Sequence, residues 1–99
     1  MSRKFYTDYV RHALRFYTRN LIKPAFKSDA DKSNWLSCQS VLDWYSNAER
    51  NILIAIYSGH DTLADEVYNA SKTFHTEQNA LWDMMKDVEH KIARRRGLI

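Results

Sequence analysis

The sequence predicts an all-α fold, a compact bundle of about five helices. Two glycines and one proline occur in 99 residues, and Asn-Gly and Asp-Gly pairs are absent, so the chain has little material for β-hairpin turns. Apolar residues instead recur three and four residues apart, in segments separated by polar breaks. At this length we expect one helical domain spanning residues 1–99.

The first helix is predicted over residues 3–23. Its apolar stripe follows i, i+4 and i+7 spacing and consists of Phe5, Tyr9, Ala13, Phe16 and Asn20, widened by Tyr6, Val10, Tyr17 and Leu21. Pro24 should end this helix, because the residue before a proline is disfavoured in the helical conformation.

The second helix should begin in the polar stretch 28–31, which suits an N-cap, and run to Tyr45. Its buried face is predicted to hold Trp35, Cys38, Val41, Leu42 and Tyr45. We interpret Cys38 on this face as a small buried hydrophobe rather than a nucleophile.

The third helix is predicted to be the core around which the other helices pack. Ser46 and Glu49 have the spacing of a capping box, in which each side chain bonds to the backbone of the other residue. The apolar run 52–57 follows, and a helix that is apolar around most of its circumference must be covered by other helices. Gly59 should end the helix in a left-handed conformation.

Two further helices are expected, joined by a sharp corner at 74–76. The fourth starts after Asp61 or Thr62, with an inner face of Leu63, Val67, Ala70 and Phe74. The fifth is expected to be capped by Thr76 and to run to Arg96, with Leu81, Met85, Val88 and Ile92 inside and Gly97 as its stop.

Charge is distributed unevenly along the chain, although its net value is +3. Residues 1–23 and 91–96 are basic, and residues 61–90 are acidic. Arg11, Arg15 and Arg19 recur every four residues and form what we call the arginine stripe; Arg94, Arg95 and Arg96 form a terminal cluster. Together these six arginines could give about six phosphate contacts. The logarithm of the binding constant would then fall with the logarithm of the salt concentration with a slope, here called the salt slope, of about −5. Alternatively, the arginines could form a solvated charged face.

Motifs for catalysis or metal binding are missing from the sequence. It has no Gly-rich phosphate loop, no Cys-x-x-Cys and no pair of histidines at helical ligand spacing. We therefore expect no enzyme activity, no cofactor and no metal. A single cysteine favours a reducing, cytoplasmic location, and no apolar segment approaches the ~18 residues of a membrane span.

The segment 46–99 resembles the fourth region of bacterial sigma factors and the small phage late-gene activators related to it. The resemblance lies in a Ser, a Glu-Arg pair, an aliphatic run, a Tyr, a Gly turn, a second helix and a last helix with a basic end. The matching residues are Ser46, Glu49, Arg50, Ile52, Leu53, Ile56, Tyr57, Gly59, Leu63, Val67, Thr76, Trp82, Val88 and Ile92. This layout is that of a helix-turn-helix-like unit over 46–99, and the first two predicted helices form a helical pair over 1–45.

The resemblance further implies DNA binding through the fifth helix, whose first turns would reach base edges in the major groove. The residues expected to read bases are Glu77, Gln78, Asn79, Asp83 and Lys86; Asn and Gln suit adenine, and Lys suits guanine. The leading hypothesis is a phage or mobile-element regulator that binds DNA or the transcription machinery, RNA polymerase included.

The alternative hypothesis is a protein-binding inhibitor or adaptor that acts on a host or defence protein. Its contact surface would be the acidic helical surface, with Glu77, Asp83, Asp87 and Trp82 as binding residues, because carboxylates can occupy a groove built for phosphates. A third hypothesis is a homodimer, since the aromatic content of 13% leaves aromatic surface for a second copy to cover.

Overall fold

Five helices are found in a computed structural model that describes residues 5–99, and no strand occurs in this range. They are α1 (Thr7–Arg19), α2 (Asp29–Leu42), α3 (Asn47–Ser58), α4 (Leu63–Thr73) and α5 (Gln78–Arg95). The all-α prediction is confirmed. The first two residues of the predicted first helix, 3 and 4, lie outside the described residues.

The helices pack in a closed ring. Around it, α1 contacts α2, α2 contacts α5, α5 contacts α4, α4 contacts α3, and α3 returns to α1; α1 and α5 also touch across the ring. Each helix contributes fully buried side chains to the core between them, among them Val10, Leu14, Leu42, Leu53, Ile56, Val67, Leu81, Met85, Val88 and Ile92. The predicted inner face of α5 is therefore confirmed.

The prediction that α3 is the central, fully wrapped helix is wrong. Its buried residues are Leu53, Ile56 and Tyr57, whereas Ala55 is exposed and Ile54 is partly exposed. Its apolar run is thus covered on one side, by α1 and α4. The helices with the most neighbours are α1 and α5, which each pack against three others.

Three helices start at the positions predicted from the sequence, and each has a side-chain cap there. Ser28 Oγ accepts from the amide of Asp31 at 3.1 Å, and Thr62 Oγ1 accepts from the amide of Asp65 at 3.2 Å. At α3 both halves of the capping box form, with Ser46 Oγ and a Glu49 carboxylate oxygen each accepting an amide hydrogen.

The first helix is shorter than predicted, and its buried stripe is shifted. It ends at Arg19 rather than near Pro24, because the Asn20 side chain donates to the Phe16 carbonyl at 2.8 Å and the Trp35 indole donates to the Asn20 carbonyl at 2.9 Å. The buried face consists of Tyr6, Val10, Ala13, Leu14 and Tyr17, while the predicted core residues Phe5 and Tyr9 are exposed.

The second helix also ends early, at Leu42 instead of Tyr45, although its predicted face is largely confirmed. Cys38, Val41 and Leu42 are buried, and Trp35 and Tyr45 are partly buried against the core. The three residues after Leu42 form a turn in which the amides of Trp44 and Tyr45 donate to carbonyls three residues earlier.

Gly59 does not adopt the predicted left-handed conformation; its φ of −65° and ψ of 158° are extended. The missing side chain at Gly59 instead leaves space for the carboxylate of Glu66. A Cβ at this position would lie 1.9 Å from a carboxylate oxygen of Glu66, which accepts the amide hydrogen of Asp61 at 3.1 Å. Gly97, in contrast, has the left-handed φ of 72° expected of a helix stop.

The corner between α4 and α5 is present, and it turns at a residue the sequence did not single out. His75 has a φ of 53°, and the amide of Thr76 donates to the carbonyl of Ser71 at 3.1 Å. The prediction that Thr76 caps α5 is wrong, because its hydroxyl donates to the Phe74 carbonyl and Glu77 occupies the N-cap without a side-chain bond. Phe74 itself is 36% exposed rather than inside.

Candidate nucleic-acid interface

Two residues of the arginine stripe, Arg15 and Arg19, lie against the end of α3. Arg15 and Arg19 both donate to the carbonyl of Gly59, at 2.6 and 2.7 Å. Arg15 also donates to the carbonyl of Asp61 at 3.2 Å, and Arg19 to that of Ser58 at 3.3 Å. Carbonyls at the end of a helix lack intrahelical partners, so these two guanidinium groups satisfy them.

The third member of the stripe, Arg11, pairs with a buried carboxylate. Its Nε lies 2.8 Å from Oε2 of Glu89, a residue that is 4% exposed, and the Tyr57 hydroxyl donates to the same oxygen at 2.6 Å. Burial, together with the charge of Glu89, raises the pKa of Tyr57 well above its usual value. The stripe thus has a role inside the fold, and its binding to phosphate stays a prediction.

Glu89 was missed by sequence reasoning, which counted it among the acidic residues of 61–90. A signal for it existed, because Glu89 lies four residues after Met85 and three before Ile92, on the inner stripe of α5. Its partners could not be identified, since they are distant along the chain, at Arg11 and Tyr57.

The residues expected to read bases gather at the start of α5. Glu77, Gln78 and Asn79 are exposed, and so are Asp83 and Lys86 further along the helix. Two carboxylates therefore share this surface with the amides that would approach DNA. Trp82, assigned to the alternative protein interface, is partly buried, with the Arg11 guanidinium 5.9 Å from its ring centre.

Asp87, another residue of that alternative, is held in a polar cluster with Tyr45 and Lys91. Lys91 Nζ donates to Asp87 at 2.8 Å and to the Tyr45 hydroxyl at 3.2 Å, and the Tyr45 hydroxyl donates to Asp87. The bond from Lys91, followed by the bond from Tyr45, lowers the pKa of Asp87. Burial, and then the bond to Asp87, raises the pKa of Tyr45 to about 12.

Beside this cluster lies a cavity of about 380 Å³ that we call the basic groove, lined by Val41, Trp44, Lys91, Arg94 and Arg95. Trp44 is 79% exposed, while Val41 beneath it is buried. Among residues 5–99, Arg94 and Arg95 are exposed and form no ion pair. The groove therefore combines a bare aromatic ring with two unneutralised guanidinium groups.

Trp44 was not singled out in the sequence. Its exposure could have been inferred from its position two residues after Leu42, outside the predicted buried face that carries Trp35, Cys38 and Tyr45. A tryptophan off the buried face at the end of a helix has to lie in solvent or against a partner.

Arg96, the last member of the terminal cluster, points away from the basic groove. Its Nε donates to the side-chain oxygen of Asn34 at 2.6 Å, and the Asn34 amide donates to the Tyr9 hydroxyl at 3.1 Å. The bond from Asn34, followed by that from Arg96, lowers the pKa of Tyr9. Arg96 thus ties the end of α5 to α1 and α2.

The predicted nucleic-acid contacts are therefore spread over three places. Gln78 and Asn79 lie at the start of α5 and Lys86 at its middle, whereas Arg94 is 15 positions after Asn79, about 22 Å along the helix axis. In the arginine stripe, Arg15 and Arg19 lie at the end of α3, and Arg11 lies against Glu89 of α5.

The described part of the chain holds no group of three His, Cys, Asp or Glu side chains arranged for a metal ion. None of its helices combines the length and apolar character needed to cross a bilayer. No protein-family model, curated protein or solved structure matches this chain.

Proposed function

We propose that this chain is a small helical regulator, of the kind that phages and mobile elements encode, and that it binds nucleic acid through the basic groove. The observation that carries the proposal is the pairing of Trp44, 79% exposed, with Arg94 and Arg95, which form no ion pair within residues 5–99. Phosphates attract unneutralised guanidinium groups, and an exposed aromatic ring offers a base a surface to contact.

The charge of the whole chain favours the same class of partner. Its net charge is +3 and its isoelectric point about 9.1, in the range typical of nucleic-acid-binding domains. The arginine stripe contributes less than its sequence suggested, because all three guanidinium groups bond within the fold. We therefore expect about two or three phosphate contacts and a salt slope of about −2 to −3.

The start of α5 remains the proposed sequence-reading surface, as the resemblance to the fourth region of sigma factors implies. Gln78, Asn79 and Lys86 are exposed there, but Glu77 and Asp83 are exposed beside them and would repel phosphate. The basic groove, which has no such unpaired carboxylate among its lining residues, is the better supported contact surface.

Fluorescence anisotropy with labelled mixed-sequence DNA at ~50 and ~200 mM salt tests the proposal. We expect binding at the lower salt and a loss of at least about tenfold in affinity for the variant Arg94→Glu/Arg95→Glu, because two phosphate contacts become repulsive. The matched control is Lys32→Glu/Lys72→Glu, which makes the same change in net charge at two exposed lysines outside the groove. The absence of binding at low salt by the folded protein, or an equal loss in both variants, would overturn the proposal.

The second candidate is a protein-binding module that acts through the start of α5. Glu77 and Asp83 favour it, because both are exposed and neither forms an ion pair within the described residues. The variant Asp83→Lys separates the two candidates: it should leave DNA affinity intact or raise it if the groove binds nucleic acid, and it should weaken a protein partner if the acidic surface is the contact.

A further inference from the structure

We infer that the basic groove binds an unpaired nucleotide, with the Trp44 ring stacked on a base and Arg94 and Arg95 contacting the phosphates on either side. This inference rests on the proposed function and names the form of nucleic acid that the groove recognises, which is a single strand.

Trp44 differs from the other two tryptophans in being unused by the fold. The Trp35 indole donates to the Asn20 carbonyl and packs edge-on against Tyr17 and Phe26. Trp82 lies under the Arg11 guanidinium and against the core. Trp44, at 79% exposure, keeps most of its ring surface in water, so covering it by a partner recovers hydrophobic free energy that folding leaves unused.

The backbone beneath Trp44 is held in place. Its amide donates to the Val41 carbonyl at 3.0 Å, and the amide of Tyr45 donates to the Leu42 carbonyl at 3.1 Å. Val41 forms the floor of the groove and is 5% exposed. The ring is thus presented from a hydrogen-bonded turn at the end of α2, which reduces the conformational entropy lost when a base stacks on it.

The walls of the groove suit a phosphodiester chain. Arg94 and Arg95 are exposed, and the Lys91 ammonium, which has three N–H donors, uses two of them on Asp87 and Tyr45. Asp87 would otherwise place a negative charge beside the groove, and the Lys91 bond compensates it. The lining thus presents cations with one neutralised carboxylate behind them.

An unpaired strand fits this arrangement better than a duplex does. Bases in a duplex are stacked on each other and expose their edges in the grooves, so a tryptophan ring finds no free base face without unstacking a step. Bases of a single strand present their faces, and stacking on an aromatic ring tolerates any sequence. The volume of about 380 Å³ is in the range of small-ligand sites and allows one nucleotide to enter.

The test compares labelled oligothymidine, oligouridine and a duplex, each of about 12 nucleotides per strand, by anisotropy at matched salt. We expect the single strands to bind about tenfold more tightly than the duplex. Trp44→Ala should weaken single-strand binding by about five- to fiftyfold, Trp44→Phe should retain most of it, and neither should change the salt slope, because stacking involves no counterion release.

The matched control is Tyr68→Ala on α4. Tyr68 is also an exposed aromatic, at 48%, with the Lys72 ammonium 4.8 Å from its ring centre, but it lies outside the basic groove. The variant Tyr68→Ala should therefore leave the affinity for single strands unchanged. Because both side chains are exposed, both variants should keep the melting temperature of the parent, which circular dichroism checks.

The outcomes distinguish this inference from the proposed function. If the duplex binds as tightly as the single strands, or if Trp44→Ala acts no more strongly than Tyr68→Ala, single-strand recognition is wrong while nucleic-acid binding stands. If no nucleic acid binds to the folded protein, both are wrong. Single strands that both bind more tightly than the duplex, and that lose this advantage in Trp44→Ala but not in Tyr68→Ala, support the inference.

Discussion

Glu89 is the residue whose environment departs most from what its type suggests. It is 4% exposed, and one of its carboxylate oxygens accepts from both Arg11 and Tyr57. A buried carboxylate is tolerated when it is paired and hydrogen-bonded, and removing one partner leaves a charge that water cannot solvate. The arrangement joins α1, α3 and α5 at a single atom.

We predict that Arg11→Met lowers the free energy of unfolding by about 2–3 kcal/mol, below the full value for a buried pair because Arg11 is partly exposed. The double variant Arg11→Met/Glu89→Met should be more stable than Arg11→Met alone, since removing the unpaired buried charge outweighs the loss of the acceptor of the Tyr57 hydroxyl. Urea unfolding of Arg11→Met, Glu89→Met and the double variant measures the coupling free energy between the two side chains. Strictly additive effects would show that the pair does not interact.

At the scale of the element, the end of α3 is stabilised from outside the helix. The Gly59 carbonyl accepts from both Arg15 and Arg19, which belong to α1, while Gly59 leaves space for the Glu66 carboxylate of α4. Three helices are therefore joined at one turn. The periodicity of the arginines predicted that they share a face, but it could not predict that the face meets backbone carbonyls.

The variant Gly59→Ala should lower the free energy of unfolding by about 0.5–1 kcal/mol, because the new Cβ displaces the Glu66 carboxylate from the Asp61 amide. In a Glu66→Ala background the same substitution should stabilise the protein by about 0.5 kcal/mol, since the extended backbone of Gly59 suits alanine and the unfolded chain loses freedom. A double-mutant cycle by urea unfolding tests the change of sign. Equal destabilisation in both backgrounds would contradict this account.

Local sequence predicted where α2, α3 and α4 start, but it failed at Thr76, whose hydroxyl bonds to the Phe74 carbonyl instead of capping α5. The caps at Ser28, Ser46 and Thr62 depend on amides three residues away, and all three form. The end of α1 depends on Trp35, 15 residues after Asn20, and no local pattern announces such a bond. The prediction of the candidate site was incomplete for the same reason. The sequence shows the cluster of three arginines, but only the fold shows that Arg96 bonds to Asn34 while Arg94 and Arg95 lie beside Trp44.

At the scale of the whole molecule, several groups that ionise at high pH are buried in the core, as Cys38 and Tyr57 are, or partly buried against it, as Tyr45 is. Burial raises the pKa of the Cys38 thiol from 9.0 to about 12, and that of Tyr45 from 10.0 to about 12. Burial and the Glu89 charge also raise the pKa of Tyr57. In each case the folded protein favours the neutral form, and the unfolded chain ionises first.

We predict that the stability contributed by these three groups is constant below about pH 9 and falls as the pH rises towards 12. The contribution of a raised pKa is complete below the unfolded value, and it is lost between the unfolded and folded values. The loss is at most about 1.4 kcal/mol per pH unit for the buried Cys38 and Tyr57, and it is smaller for Tyr45, whose hydroxyl is screened by solvent. Melting temperatures from pH 8 to pH 11 measure the decline. In Cys38→Ala the decline should begin near pH 10 rather than pH 9, and a profile that is flat to pH 11 would contradict the prediction.

The contact of α5 with α1, α2 and α4 has a consequence for synthesis on the ribosome. Until α5 has been synthesised, the faces of those three helices that meet it stay in water, and Arg11 lacks the Glu89 carboxylate as a partner. Packing of this core therefore waits until α5 has left the exit tunnel. The basic groove forms at the same step, because Lys91, Arg94 and Arg95 reach Trp44 only when α5 docks.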